Sequence, residues 1–211
     1  MNKRFLKRTI SLMLSVVALI TVACFGVANT SAAEVFPEDE VKALLAQAEL
    51  KPVVNAKDKQ ESRSICTFST KSPENVYPTR KGTILVATDS ISGHAAIVYD
   101  ENTVIESVVD GVVVGKNDWN ITRETLYGID VNDTTLEEDE IAADWCLQQV
   151  GKKYNWNFFN IKTREKFYCS QLVWAAFYDN FDIDLSTDDF GTAIYPAELV
   201  TSEKTSVVYS K

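Results

Sequence analysis

"REKFYCSQLVWAAFY", residues 164–178, decides how the rest of the chain is read. Counting from Cys169, the residues Leu172, Val173, Ala176 and Phe177 follow at spacings of three, four, seven and eight, which is one apolar stripe of a helix. The spacing predicts a helix that starts at Cys169 and turns the thiol's own face toward a core. Two readings of Cys169 stand level on this pattern. Free cysteine is among the most buried residue types, and this one opens a core stripe. A thiol at a helix N-terminus also meets unpaired N–H groups and the positive end of the helix dipole, both of which favour the thiolate.

The partner of that stripe is legible upstream. "TILVAT" (83–88), "HAAIVYD" (94–100), "TVIESVV" (103–109) and "GVVVGK" (111–116) are short, β-branched stretches separated by turn residues, which reads as an antiparallel sheet. "TLYGIDV" (125–131) and "TSVVYS" (205–210) add strands. Residues 136–150 read as a helix with Ile141, Ala142, Trp145, Cys146 and Gln149 on its buried stripe and Gly151 at its end, so Cys146 reads as a structural thiol. "PEDEVKALLAQA" (37–48) is a short helix with Val41, Leu44, Leu45 and Ala48 on one face and its acids in the first turn where the dipole favours them. Between Glu49 and Tyr77 the chain is polar and weakly patterned, with "SICTF" (64–68) its strand-like piece. Helices and strands segregate along the chain, which implies an α+β domain with an antiparallel sheet packed against helices.

The sequence contains one histidine, His94, at the head of a strand. A lone histidine is more often a packed or surface residue than a catalyst. Its neighbours shift that judgement. With a three-residue loop Asp100–Asn102 and Asn102 in the left-handed region, Ala96 faces Glu106, and His94 shares the face of Glu106 at a diagonal spacing. A two-residue loop would turn Glu106 to the other face, where it would be an ordinary exposed residue. A thiolate, an imidazole beside it and a carboxylate on the far ring nitrogen form a nucleophile, an acid–base partner and its orienting group.

The chain opens with Lys3, Arg4, Lys7 and Arg8, an apolar run from Ile10 to Val27, and small residues at Ser31, Ala32 and Ala33. That order predicts a signal peptide, residues 1–33, cleaved after Ala33, and a secreted or cell-envelope protein. Acylation at Cys24 is the weaker alternative, because Thr21 stands where such signals usually carry leucine. Cleavage removes four basic and no acidic side chains, taking the formal charge from −9 to −13. So acidic a surface repels phosphate backbones, and nucleic acid is not an expected partner. No later stretch is apolar for long enough to span a bilayer. Three cysteines remain after cleavage, so at least one is unpaired. A Cys66–Cys146 disulfide is set against two buried thiols, and flanks that read as strand and helix interiors favour the thiols.

Other chemistries are poorly supplied. One histidine and no close cysteine pair leave only carboxylates as metal ligands. "DIDLSTDD" (182–189) lacks the glycine and terminal glutamate of a calcium loop, and reads, like "EEDE" (137–140), as a solvated acidic face. There is no phosphate loop and no Ser-x-Gly elbow, so no cofactor is implied.

Taken in order, "KGTILV" (81–86), "SGHAAIVYD" (92–100), a strand carrying Glu106, a helix running into "VGKKYNW" (150–156), "FYCSQLVWAAF" (167–177) and "YPAELV" (195–200) resemble the circularly permuted branch of the NlpC-like, papain-like cysteine hydrolases, notably the YiiX-like group related to lecithin retinol acyltransferase. The resemblance covers roughly residues 77–200. It implies a permuted papain-like domain at 77–211, preceded by a helix and connecting arm at 34–76. Residue by residue it implies Cys169 as nucleophile, His94 as general base, Glu106 as the orienting third member, and Tyr168, Ser92, Gly93 and Ser170 in the substrate pocket. Ordinary packing is the alternative for Tyr168. Many relatives carry a histidine or another polar residue where this chain has Glu106, and Gly-Asp where it has Gly82-Thr83. The implied function is a secreted cysteine hydrolase acting on an amide or peptide bond of a cell-wall peptide or an N-acyl or lipid substrate. A non-catalytic lipid- or peptide-binding module on the same fold, or a thiol acyltransferase, is the alternative.

Overall fold

The computed structural model describes residues 32–57 and 74–211. The elements in chain order are α1 (Ala32–Val35), α2 (Glu38–Glu49), β1 (Ile84–Ala87), β2 (His94–Val98), β3 (Thr103–Val108), β4 (Gly111–Lys116), α3 (Trp119–Thr122), β5 (Leu126–Val131), α4 (Leu136–Leu147), β6 (Lys153–Tyr154), β7 (Lys166–Phe167), α5 (Cys169–Phe181), α6 (Glu198–Thr201) and β8 (Thr205–Ser210). Six strands form one sheet in the order β4-β3-β2-β1-β5-β8, every pairing antiparallel, while β6 and β7 pair in parallel beside it. Mixed helix and antiparallel sheet is thus the architecture. Among the described residues no helix is long and apolar enough to cross a membrane.

Alternation along the strands sorts two cores. Val86, Ala95, Ile97 and Ile105 face α5, whose Leu172, Val173, Ala176 and Phe177 are all fully buried. The Leu, Val and Phe side chains contribute about 1.5–3 kcal/mol each on burial, which presses the helix onto β2 and β3. Leu85, Ala96, Val98, Val104 and Trp119 form the smaller core on the other face. Helix α2 buries Val41, Leu44 and Ala48 in the larger core. Residues 51–57 then run along the sheet edge, where Val53 bridges Val207 in parallel. "SICTF" and Cys66 lie outside the described residues.

Three expectations need correction. The β2–β3 hairpin has the foreseen register, Ala96 opposite Glu106, but Asn102 is not left-handed. Instead Asp100 and Thr103 close a tighter turn, and the N–H groups of Tyr99 and Asp100 both donate to the Thr103 carbonyl. This β-bulge absorbs the extra residue and leaves Glu106 on the face of His94. Ile141 is exposed, and the buried face of α4 is Asp139, Ala142, Ala143 and Cys146. "EEDE" is therefore not uniformly solvated: Asp139 is 1% exposed and pairs with Lys57 at 3.1 Å and Arg80 at 2.9 Å. Arg80 also pairs with buried Asp130, so two cations from distant parts of the chain compensate two carboxylates taken out of water.

The N-terminus of α4 carries a capping box, with the Thr135 hydroxyl accepting from the Glu138 N–H and the Glu138 carboxylate accepting from the Thr135 N–H. Thr135→Ala is expected to lower stability by about 1 kcal/mol, read as a shifted urea midpoint at unchanged slope.

Candidate active site

Helix α5 begins where the sheet's second strand begins, and that coincidence makes the site. Tyr168 precedes the helix in extended conformation. Buried Gln171 reaches back to accept its N–H at 3.2 Å, and is itself held by Asn155 at 2.9 Å. The Tyr168 hydroxyl donates to the Phe158 carbonyl and accepts from the Ile194 N–H, both at 3.1 Å. The Ser170 hydroxyl donates to the Ile194 carbonyl at 2.6 Å. Cys169 therefore sits at the first position of a helix whose start is pinned from three sides.

His94 is the first residue of β2, so its ring stands at the strand's end, level with Cys169. Its Nε2 lies 2.6 Å from Glu106 Oε2 on the adjacent strand. The other ring nitrogen is left for Cys169, to which His94 is also hydrogen-bonded. Burial works against charge on His94, but the hydrogen bonds to Cys169 and then Glu106 outweigh it and raise its pKa to about 9. Burial likewise opposes the Cys169 thiolate, yet the hydrogen bond and charge of His94, with the N–H groups of Ala95 and Ser170, draw the thiol below its ordinary value. Both shifts favour the same arrangement, a thiolate beside an imidazolium. Cys146 is the contrast: free, fully buried, its Sγ 3.8 Å from the Leu172 carbonyl, it is pushed well up by burial alone.

Three residues that the sequence reading passed over complete the frame. The Trp119 indole stacks on the His94 ring, centroids 5.2 Å apart and planes 25° from parallel. The Arg123 guanidinium lies 5.1 Å from the same indole. Gly115 on β4 leaves the space that the Glu106 carboxyl occupies, since a Cβ there would fall 2.9 Å from Glu106 Cδ and closer still to Oε1. An indole in the polar stretch "NDWNIT" was the one visible signal among them.

These groups open onto a cleft of about 410 Å³. Tyr168, Ser92, Gly93 and Ser170 all line it, with His94 and Cys169. The Tyr168 hydroxyl is spent on Phe158 and Ile194 and that of Ser170 on Ile194, so both shape the wall. The rest is largely apolar and aromatic: Phe36, Val108, Tyr154, Trp156 and Phe158. Phe36 comes from the N-terminal segment and is wedged against Phe158, Phe190 and Tyr195, with ring centroids 5.5, 5.2 and 5.2 Å away.

Residues 76–209 match the family model of the permuted papain-like amidase enzymes, the YaeF/YiiX or C92 family. The chain belongs to this family. It is also similar to the uncharacterized protein YycO of Bacillus subtilis (strain 168), with 28% identity over 129 residues that make up 55% of this chain and 48% of YycO. The matched region thus spans about half the length of that curated relative. Among solved structures it is similar to the metalloprotein YiiX of Escherichia coli O157:H7, at 14% identity and a TM-score of 0.50, covering 63% of this chain and 98% of that one. At that identity the likeness is one of fold. Among the described residues of this chain, no group of three or more His, Cys, Asp or Glu side chains is placed to hold a metal ion.

Proposed function

We propose that this family member is an exported cysteine amidase that works through an acyl-enzyme on Cys169, with His94 as acid and base and Glu106 holding the imidazole. What carries the reading is the pairing of a helix-start thiol with a histidine whose far nitrogen is fixed 2.6 Å from a carboxylate. The thiolate attacks the amide carbonyl carbon, and the oxyanion forms beside the Cys169 N–H, which at the first position of a helix has no intrahelical acceptor. His94, already protonated, gives its proton to the amide nitrogen as the C–N bond breaks. The amine departs and a thioester remains. Neutral His94 then takes a proton from water, the hydroxide attacks the thioester, and the thiolate leaves, restoring the starting pair.

Cell-wall peptides and N-acyl or ester lipids are the two substrate classes in view. The test incubates the protein lacking residues 1–33 with muropeptides and with both kinds of lipid, using Cys169→Ala as control. Turnover by the wild type that vanishes in the variant is the expected result. Hydrolysis surviving in Cys169→Ala would reject the mechanism, and acyl transfer to an added amine in place of water would make the enzyme a transferase.

A further inference from the structure

We propose that Arg123 selects the substrate, and that the bond cut is an amide whose amine half carries a carboxylate, as in an N-acyl amino acid. The proposal rests on the reading of Cys169 as nucleophile and goes beyond it.

In a chain of formal charge −9, Arg123 is the one lysine or arginine among the described residues that line the cleft. Among the described residues its guanidinium makes a long ion pair and a ring contact but no hydrogen bond. Asp89 Oδ1 stands 3.9 Å from Nη1, an ion pair too long for a hydrogen bond, while Asp89 Oδ2 accepts the Glu124 N–H at 3.2 Å. The Arg123 side chain is 33% exposed, open to a partner from the cleft. Such a fork of donors binds a carboxylate through charge-assisted hydrogen bonds.

Position decides which half of the substrate it meets. His94 and Arg123 both rest on the Trp119 ring, and the two distances of 5.2 and 5.1 Å bound their separation at about 10 Å. Trp119 itself is fixed, because its N–H donates to the Tyr77 hydroxyl at 3.2 Å and its carbonyl accepts the Arg123 N–H at 2.9 Å. His94 must face the leaving nitrogen to protonate it. A cation that shares the indole with His94 therefore flanks the amine half of the amide. The acyl half is left with the aromatic wall of Phe36, Phe158 and Trp156, which suits an apolar chain or side chain. The products are then a carboxylic acid and an amino acid whose carboxylate has paired with Arg123.

The experiment compares alkylation of Cys169 by iodoacetate and by iodoacetamide at pH 7 and low salt, in wild type, Arg123→Gln and Arg123→Lys. His94 acts on both reagents in every variant, so the ratio of the two rates isolates Arg123. The ratio is expected to fall about five- to tenfold in Arg123→Gln and to recover partly in Arg123→Lys. A ratio equal to wild type in Arg123→Gln overturns the role of Arg123 while leaving the nucleophile standing. Wild-type Cys169 labelling no faster than Cys146 overturns the underlying reading instead. A second arm asks whether N-lauroylglycine or leucylglycine protects Cys169 from iodoacetamide better than its carboxamide counterpart. Protection by the first names an acylated amino acid, protection by the second a peptide C-terminus, and equal protection by acid and amide overturns the substrate class.

Discussion

His94→Ala is expected to slow alkylation of Cys169 by iodoacetamide about a hundredfold at pH 7, while the protein stays folded. The size follows from what remains once the ring is gone. In the wild type the thiol lies below its ordinary value because the charge and hydrogen bond of His94 outweigh burial. Remove the imidazole and burial, the largest influence on Cys169, is opposed only by the N–H groups of Ala95 and Ser170. A thiol returned to or above the ordinary cysteine range, roughly 8.5, is almost wholly protonated at pH 7, and only the thiolate reacts. The sign with pH is equally definite. Wild-type labelling should already be fast below the range where free cysteine ionises, whereas in His94→Ala it should climb with pH through and beyond that range. Turnover has a second limit, because His94 must be protonated to release the amine. With its pKa raised to about 9, kcat/KM should fall as pH rises through about 9, giving a bell whose limbs belong to the coupled pair. Equal labelling of wild type and His94→Ala at pH 7 would mean that the pair does not activate the thiol. Cys146, buried and raised, serves as the unreactive internal reference.

What the amino-acid order revealed of this site, and what it hid, divides along physical lines. The helix at Cys169 and the strands at 84–116 were readable because apolar periodicity is a local property. The face of Glu106 was legible only on the condition of a three-residue loop, because both faces of β3 carry buried residues and its apolar pattern alone does not fix the register. The turn that sets this register was misread: a left-handed Asn102 and a bulge at Tyr99–Asp100 give the same count, and pattern cannot separate them. Asp139 was read as solvated because its partners, Lys57 and Arg80, lie 82 and 59 residues away, and a carboxylate's burial depends on who meets it. The exposed Ile141 is the same error in reverse: α4's inner face follows its cation partners and the small Ala142 and Ala143. Trp119, from an element well apart in the chain, stacks on His94, and Arg123 lies over Trp119, which leaves no periodicity to detect. Gly115 was least legible of all, because its contribution is an absent side chain.

That absence supports the second large prediction: Gly115→Ala should cut kcat/KM by about ten- to a hundredfold with little loss of stability. Gly115 lies on β4 opposite Val104, with a φ outside the left-handed region, so alanine can adopt its backbone without strain. In a strand, alanine in place of glycine is favoured by roughly 0.5–1 kcal/mol through the lower entropy of the unfolded chain. The new methyl would meet the Glu106 carboxyl, which can swing away because it ends a flexible side chain. Folding therefore tolerates the change, but His94 does not, since the carboxylate that swings is the one holding Nε2 at 2.6 Å. A shift of about 1 Å in a group that positions the reacting atoms is enough for a hundredfold loss. Three readouts separate this from simple damage. The thermal midpoint should stay within a few degrees of wild type, and KM should change less than kcat. In a Glu106→Gln background, Gly115→Ala should cost much less than it does alone, because the two substitutions disturb the same contact. Activity and stability lost in parallel, or full additivity with Glu106→Gln, would show that Gly115 serves the sheet and not the histidine.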